Sequence, residues 1–279
     1  MNSKNKVSVI ILTYDEAENI ERAIVNTISW AHEVIVLDSY SSDNTVEIAI
    51  SLGAKVFKRK FDNYSAQRNY AIQEIQIETE WILFLDADEY LSNELKSEIN
   101  SELLNPTADG YFLKRRFYFH GKWIKWGGYY PIWILRLFKK GKGLFHREIN
   151  EHLALQGVTA KLVNYFVDDN QKPMCYWWHK HIDYAKQEAI SLIQSNSKSL
   201  KYNFWGSQAD RKLWIRYRIW NRLPIYIRPF IYFFYRYFFR LGFLDGFIFH
   251  FYHGLVYYLI IDSFYLELKK KSNLSNGRK

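Results

Sequence analysis

The chain has 279 residues, enough for one large domain or for a domain with an appendage. Its one cysteine, Cys175, excludes a disulfide framework within the chain and any cysteine-based zinc cluster, and fits a reducing cytosol. The net charge of +9 is unevenly placed: residues 1–200 carry 24 Lys+Arg against 25 Asp+Glu, whereas residues 201–279 carry 14 against 4 and hold 24 of the 52 aromatic residues.

Met1 to Lys6 is polar and basic, with no apolar run behind it longer than a strand, so no secretory signal is expected. Val7 to Leu12 reads as a strand, and Glu16 to Ala31 as a helix with Ile20, Ala23, Ile24 and Ile28 at helical spacing. Val34 to Leu37 is a second strand, closed by Asp38. Ser42 or Asp43 is placed to cap a helix that runs to Leu52, with Gly53 at its stop. Lys55 to Phe57 is a short strand, Ser65 to Ile77 a helix, and Trp81 to Leu85 a fourth strand. This alternation predicts a mostly parallel sheet flanked by helices, in which ligands bind beyond the carboxyl ends of the strands. Thr13-Tyr14-Asp15, Asp38 and Asp86/Asp88 all fall there. A helix to Leu104 follows, then strands over Gly110–Phe119 and Ile132–Phe138, antiparallel in expectation. The loop between them carries Trp123, Trp126, Gly127 and Gly128 and suits a flap that stacks on a ligand.

Asp86-Ala87-Asp88-Glu89 closes the apolar run Trp81 to Leu85. A buried strand that ends in ionised groups needs something to neutralise them. A hard divalent cation held by oxygen ligands does so, and commonly also binds substrate phosphates. A metal and a phosphorylated ligand are therefore expected at this edge. The ordinary alternatives are a solvated strand end for Asp86 and Asp88, a turn cap for Asp38, and surface roles for Arg68 and Glu151. His179 and His181, after Tyr176-Trp177-Trp178, read as packed or surface histidines rather than metal ligands.

In the basic tail, Leu213, Trp214, Tyr217 and Trp220 fall on one helical face, and Arg211, Lys212, Arg216, Arg218 and Arg222 on the other. That is the pattern of a helix lying in an anionic membrane interface. Gly246 to Ile261 is apolar but shorter than a spanning helix, which needs about twenty residues. Residues 211–261 are expected to attach to an anionic membrane surface, in-plane or re-entrant. An aromatic helical pack that buries this surface against the enzyme or, in a homo-oligomer, against another subunit is one alternative, and a true membrane span is the other. The segment is too continuously apolar for a nucleic-acid groove.

The ordered stretches Ser8–Glu16, Val36–Thr45, Gln67-Arg68-Asn69, Trp81–Glu89, Arg136-Leu137-Phe138 and Ile149–Leu153 resemble glycosyltransferase family 2, the inverting enzymes of the GT-A fold. They are most similar to the bacterial branch that builds lipopolysaccharide cores and surface polysaccharides. The likeness continues more loosely in Arg240–Gly246. It implies an α/β GT-A domain over residues 1–200, with a nucleotide-binding half to about residue 105 and an acceptor half after it. Residues 201–279 form the helical appendage. It implies that Thr13, Tyr14, Asp15 and Asp38 bind the nucleotide of a sugar donor, with Asp43, Arg68, Asn69, Asp86 and Ala87 in the same pocket. It further implies that Asp86 and Asp88 hold Mg²⁺ or Mn²⁺ against the diphosphate, that Arg136 adds charge there, and that Glu151 is the base. Asn150 stands where the family has histidine, which makes Glu148 a rival base. The function implied is transfer of a sugar from a nucleotide donor, UDP-linked in expectation, to a lipid-linked or surface glycan. It would occur on the cytoplasmic face of the membrane. A nucleotidyltransferase is a rival reading, although Thr13–Ala17 has no phosphate-loop glycine. A catalytically silent membrane scaffold is another.

Overall fold

A computed structural model describes residues 6–146, 152–195 and 223–276. The chain forms two compact units. One comprises residues 1–124 and 129–172, the other residues 125–128 and 173–279. The sequence-based division at residue 200 thus falls inside the second unit.

The first unit runs β1 (Val7–Thr13), α1 (Ile20–Ile28), β2 (Glu33–Asp38), α2 (Thr45–Ser51), β3 (Lys55–Lys58), α3 (Tyr64–Gln73) and β4 (Trp81–Asp86). It continues through β5 (Glu89–Leu91), α4 (Asn93–Glu102), β6 (Gly110–Phe119), β7 (Lys122–Trp123), β8 (Ile132–Lys139), β9 (Gly143–His146), β10 (His152–Leu155) and β11 (Thr159–Asp169). The main sheet has the order β3-β2-β1-β4-β8-β6-β11-β5, with β7 on β6, and β9 and β10 pair separately. β3, β2, β1 and β4 are parallel, as the alternation predicts. β8 is antiparallel to both β4 and β6, also as expected.

The period of two in the strands sorts side chains onto two faces, each with its own core. Val7, Val9 and Ile11 pack with Ile20, Ala23 and Ile24 of α1 and with Leu95 and Ile99 of α4. Ile10, Ile35, Ile82 and Phe84 pack with Ala71 of α3 and with Phe138 and Phe145. Both faces of β1 and β4 are covered, which is why these strands read as unbroken apolar runs. Helix α1 is shorter than its apolar period predicts. Asp15 takes a left-handed backbone at φ 52°, and the Glu16 carbonyl closes a turn on the N–H groups of Asn19 and Ile20. Helix α3 likewise ends at Gln73, and Ile75 and Ile77 reach the core from the loop beyond it.

A surface ion-pair network ties β2, β3 and the loop before β4. Lys55 Nζ lies 2.7 Å from Glu33 Oε2 and 2.5 Å from Glu78 Oε1. The hydrogen bond from Lys55 pulls the Glu78 carboxyl down to about 2, helped by His32. A carboxyl whose folded-state value is depressed stabilises the fold above its unfolded value near 4.5 and loses that contribution as pH falls toward about 2. Lys55→Met is therefore expected to flatten the pH dependence of urea-unfolding stability between pH 4.5 and 2, and to leave the slope above pH 5 unchanged.

The second unit is helical. Helix α5 (Met174–Ser195) packs on the helix Tyr257–Asn276 through Ala185, Ala189 and Ile261, where the alanines allow close approach. Helix Arg228–Phe234 runs through a π-helical turn, Tyr235–Phe239, into a 3₁₀ turn, Gly242–Asp245. Helix Phe247–Phe251 continues through a second π-helical turn, Tyr252–Val256, into the last helix. The loop segment 125–128 belongs to this unit. Asp245 accepts the Trp126 N–H, and Gly127 N–H donates to Arg240 O at 2.8 Å. The basic amphipathic stretch 211–222 lies outside the described residues.

Candidate active site

The ends of β1 and β2 stand side by side, with Thr13 opposite Asp38 in the register. Asp38 is fully buried. Its Oδ1 accepts from Thr13 Oγ1 at 3.0 Å and from the Ser41 hydroxyl, and its Oδ2 accepts the Ser41 N–H at 2.9 Å. Asp38 therefore caps the following turn and also fastens it to β1. The turn answers: Ser41 Oγ accepts the Asp15 N–H at 2.8 Å, and Asp15 Oδ1 accepts the Ser42 N–H at 2.7 Å. Asp43 accepts from Ala17 N, Thr45 N and the Thr45 hydroxyl. Burial opposes ionisation of Asp43, but these hydrogen bonds outweigh it and hold the carboxyl below its ordinary value. Two loops are thus locked together by short polar side chains, and Tyr14 and Tyr40 are left 57% and 60% exposed at their rim. The hydroxyls of Ser41, Ser42 and Thr45 are as much part of this cradle as the aspartates. Their signal in the sequence is only the Ser/Asp-rich run after a strand.

The second half of the site is the end of β4, where Asp86 pairs with Leu12 of β1 in the register. Arg68 of α3 and Arg136 of β8 each place Nη2 2.9 Å from one Asp86 oxygen. Arg136 also donates to Glu89 Oε1 at 2.6 Å, and Glu89 Oε2 accepts the Asp86 N–H at 2.9 Å. Both guanidinium groups are buried, Arg68 against Phe84 and Phe145 and Arg136 against Phe166. The reading of Arg68 as a surface residue does not hold. Asp86, with its side chain 41% exposed, is the open end of this pair of ion bridges. Ala87, between the two aspartates, is buried.

Acidic groups outnumber cations around β4. Glu89 is pushed well above the ordinary carboxyl range by burial, with Asp86, Asp168 and Asp88 adding to the shift against Arg136. Asp168 of β11 is pushed up to about 7, first by burial and then by Asp88, although Arg115 lies 3.3 Å away. Asp88 accepts from Asn170 Nδ2 at 2.9 Å on Oδ2. Among the described residues no set of three or more acidic, histidine or cysteine side chains forms a ready cation cage. A hard cation that keeps several waters needs only one or two carboxylates beside a substrate diphosphate. An all-oxygen site with an excess of mutually repelling carboxylates fits that requirement. Asp86 already gives both oxygens to arginines, so Asp88 is the better placed of the two to reach a cation.

Asn69 turns inward. Its Nδ2 donates to Phe145 O at 2.9 Å and its Oδ1 accepts the Phe145 N–H at 2.8 Å, which pins β9 to α3. Glu148 and Glu151, the two base candidates, lie outside the described residues. In the helical unit, His179 Nδ1 and His181 Nδ1 meet the carbonyls of Cys175 and Trp177 one helical turn back, at 2.7 and 2.8 Å. His181 also stacks on Trp177, and burial lowers its pKa. Both are occupied within their own helix.

A sheet built this way, with its polar cradle beyond β1, β2 and β4 and its antiparallel extension through β8, defines an α/β protein of the GT-A type. The chain belongs to glycosyl transferase family 2, whose model matches residues 8–247. An uncharacterized glycosyltransferase of Rickettsia bellii is 46% identical over 106 residues, which is 38% of this chain and 35% of that protein. The SPbeta prophage-derived glycosyltransferase SunS of Bacillus subtilis is 35% identical over 91 residues, 32% of this chain and 21% of its own length. The matches therefore span about a third or less of these relatives. Glucosyl-3-phosphoglycerate synthase of Mycobacterium tuberculosis, solved with Mn²⁺, UDP and glucosyl-3-phosphoglycerate, is 21% identical over 40% of this chain and 44% of its own. Its TM-score of 0.34 is too low to bear on function.

Proposed function

We propose that this transferase moves one sugar from a nucleotide-diphosphate donor, a UDP-sugar, to a hydroxyl of a lipid-linked glycan by a single inverting displacement. The observation that carries the reading is that Thr13, Asp38 and Asp86 end the adjacent strands β1, β2 and β4, with Asp15 and Asp88 two residues beyond the ends of β1 and β4. Thr13, Asp15 and Asp38 are polar groups suited to a nucleoside, and Asp86 and Asp88 stand where a diphosphate would follow it. Mg²⁺ or Mn²⁺ at Asp88 would supply Lewis-acid stabilisation of the leaving diphosphate. Arg68 and Arg136 hold Asp86 and add positive charge at that edge. Tyr14 and Tyr40 offer exposed rings to a base or a sugar. As the acceptor hydroxyl attacks the anomeric carbon, its proton passes to a carboxylate. The family likeness assigns that role to Glu151, with Glu148 as the rival. Titration calorimetry with UDP tests the reading: binding is expected with Mn²⁺ and is expected to fall sharply when EDTA removes the metal. Absence of metal-dependent UDP binding would favour the silent scaffold, and preference for an intact nucleoside triphosphate would favour nucleotidyl transfer.

A membrane-borne acceptor is supported by the surface of the helical unit. Phe230, Phe234, Phe238, Phe239, Phe243 and Phe247 are each between 45% and 79% exposed within one short stretch. Arg240 is exposed among them, and residues 201–279 carry 14 Lys+Arg against 4 Asp+Glu, an excess of ten positive charges. That charge repels a second copy and attracts an anionic headgroup layer. No helix among the described residues is long and apolar enough to cross a membrane, so the attachment proposed is peripheral. Phe238→Ser/Phe239→Ser is expected to reduce flotation with phosphatidylglycerol vesicles while UDP binding is kept. Unchanged flotation would count against this face.

A further inference from the structure

We infer that Asn170, at the end of β11, is a positioning residue for the cation ligand Asp88. The inference rests on the proposed donor site and goes beyond it to a residue that no motif marks. Asn170 Nδ2 donates to Asp88 Oδ2 at 2.9 Å, across 82 positions of sequence. The orientation of this carboxamide is set from its other side. Asn170 Oδ1 accepts the Lys172 N–H at 2.9 Å and Asn19 Nδ2 at 3.3 Å, so the oxygen faces two donors and the NH₂ faces the carboxylate.

Asn19 is itself fixed. It is fully buried, its Nδ2 also donates to Glu16 Oε2 at 2.7 Å, and its Oδ1 accepts the Gln171 N–H at 2.9 Å. The Asp88 backbone is held from the same strand, because Asp169 N–H donates to Asp88 O at 3.0 Å. The loop after β4 is therefore clamped twice by consecutive residues, at the main chain by Asp169, the last residue of β11, and at the carboxylate by Asn170 just beyond it.

A donor fixed on Oδ2 sets the geometry of Asp88. It orients the carboxylate so that Oδ1 is the oxygen presented to a cation, and it holds that orientation before the cation arrives. Outer partners of this kind commonly change metal affinity by about 10–100-fold when removed. The plain alternative is that Asn170 only shapes the turn into Lys172, since its Oδ1 to Lys172 N–H contact is an Asx-turn.

Asn170→Ser separates the two roles. A serine hydroxyl still accepts from the N–H two residues on, which preserves the turn, but it is too short to reach Asp88. The measurement is calorimetric titration of Mn²⁺ into the full chain saturated with UDP, beside a thermal melt without ligand. The expected result is an apparent Mn²⁺ affinity about 10–100-fold weaker with an unchanged melting midpoint. Wild-type Mn²⁺ affinity in the folded variant overturns the inference. If the serine variant does not fold, Asn170→Thr keeps the same turn chemistry and takes the same reading. Absence of Mn²⁺-dependent UDP binding in the wild-type chain would overturn the donor site itself, and the role of Asn170 with it.

Discussion

Asp88→Asn is expected to lower sugar transfer by about 10²–10³-fold while the protein stays folded, a loss typical of removing one preorganised charge-stabilising group. The substitution is nearly isosteric, and the new amide oxygen still accepts from Asn170. It removes one negative charge from a cluster in which burial and mutual repulsion already raise Glu89 and Asp168. The fold should therefore lose little stability. Transfer should suffer because the neutral side chain is a poor ligand for a hard cation. The check is a transfer assay with a panel of UDP-sugars at saturating Mn²⁺, beside circular dichroism and a thermal melt. Wild-type turnover in the folded variant would contradict the assignment of Asp88.

Arg136→Leu is expected to have the largest effect on stability, about 3–5 kcal/mol, because it removes the cation from a buried pair and leaves the acid behind. Arg136 bridges Asp86 and Glu89, at 2.9 and 2.6 Å, and the Glu89 side chain is only 2% exposed. The variant can lessen the damage by keeping Glu89 protonated. A carboxyl raised in the folded state holds its proton more tightly than in the unfolded chain, so stability falls as pH rises above the unfolded value near 4.5. The deficit measured by urea unfolding should accordingly be smaller at pH 5 than at pH 8. Adding Glu89→Gln should recover part of it and reduce that pH dependence, the remainder belonging to Asp168, which Arg136 also helps to keep ionised. Equal deficits at the two pH values would mean that Glu89 is not the group left exposed to the loss.

The candidate site was legible where its residues sit at the ends of the elements that present them. Thr13, Asp38 and Asp86 each follow an apolar run directly, so the same residues that bury the strand also place its last side chain. Other parts left no such trace. β11 carries a register irregularity between Lys161 and Tyr165, and its apolar residues do not alternate cleanly. β5 is three residues long. The contacts of Asn69 were not legible: beside Arg68 in sequence, it bonds from α3 to β9, because neighbouring helix positions face different directions. The tail was legible in composition, and the exposed aromatic face of residues 226–248 bears that composition out at the surface. The start of the helical unit at Pro173 was not, because it depends on α5 finding Ile261 far along the chain.

By itself the amino-acid order determined the alternation of strands and helices through residue 104, the parallel sheet and the family. Each rests on the spacing of apolar residues over a few turns, and short-range periodicity is written locally. Only the tertiary structure decided which charge answers which: Arg68 and Arg136 for Asp86, Asn170 for Asp88, and the loop at residues 125–128 for the helical unit. Those partners lie tens of residues apart, and a buried ionic contact has no period. Its energy comes from exclusion of water once the chain has closed around it, so it can be read only in three dimensions.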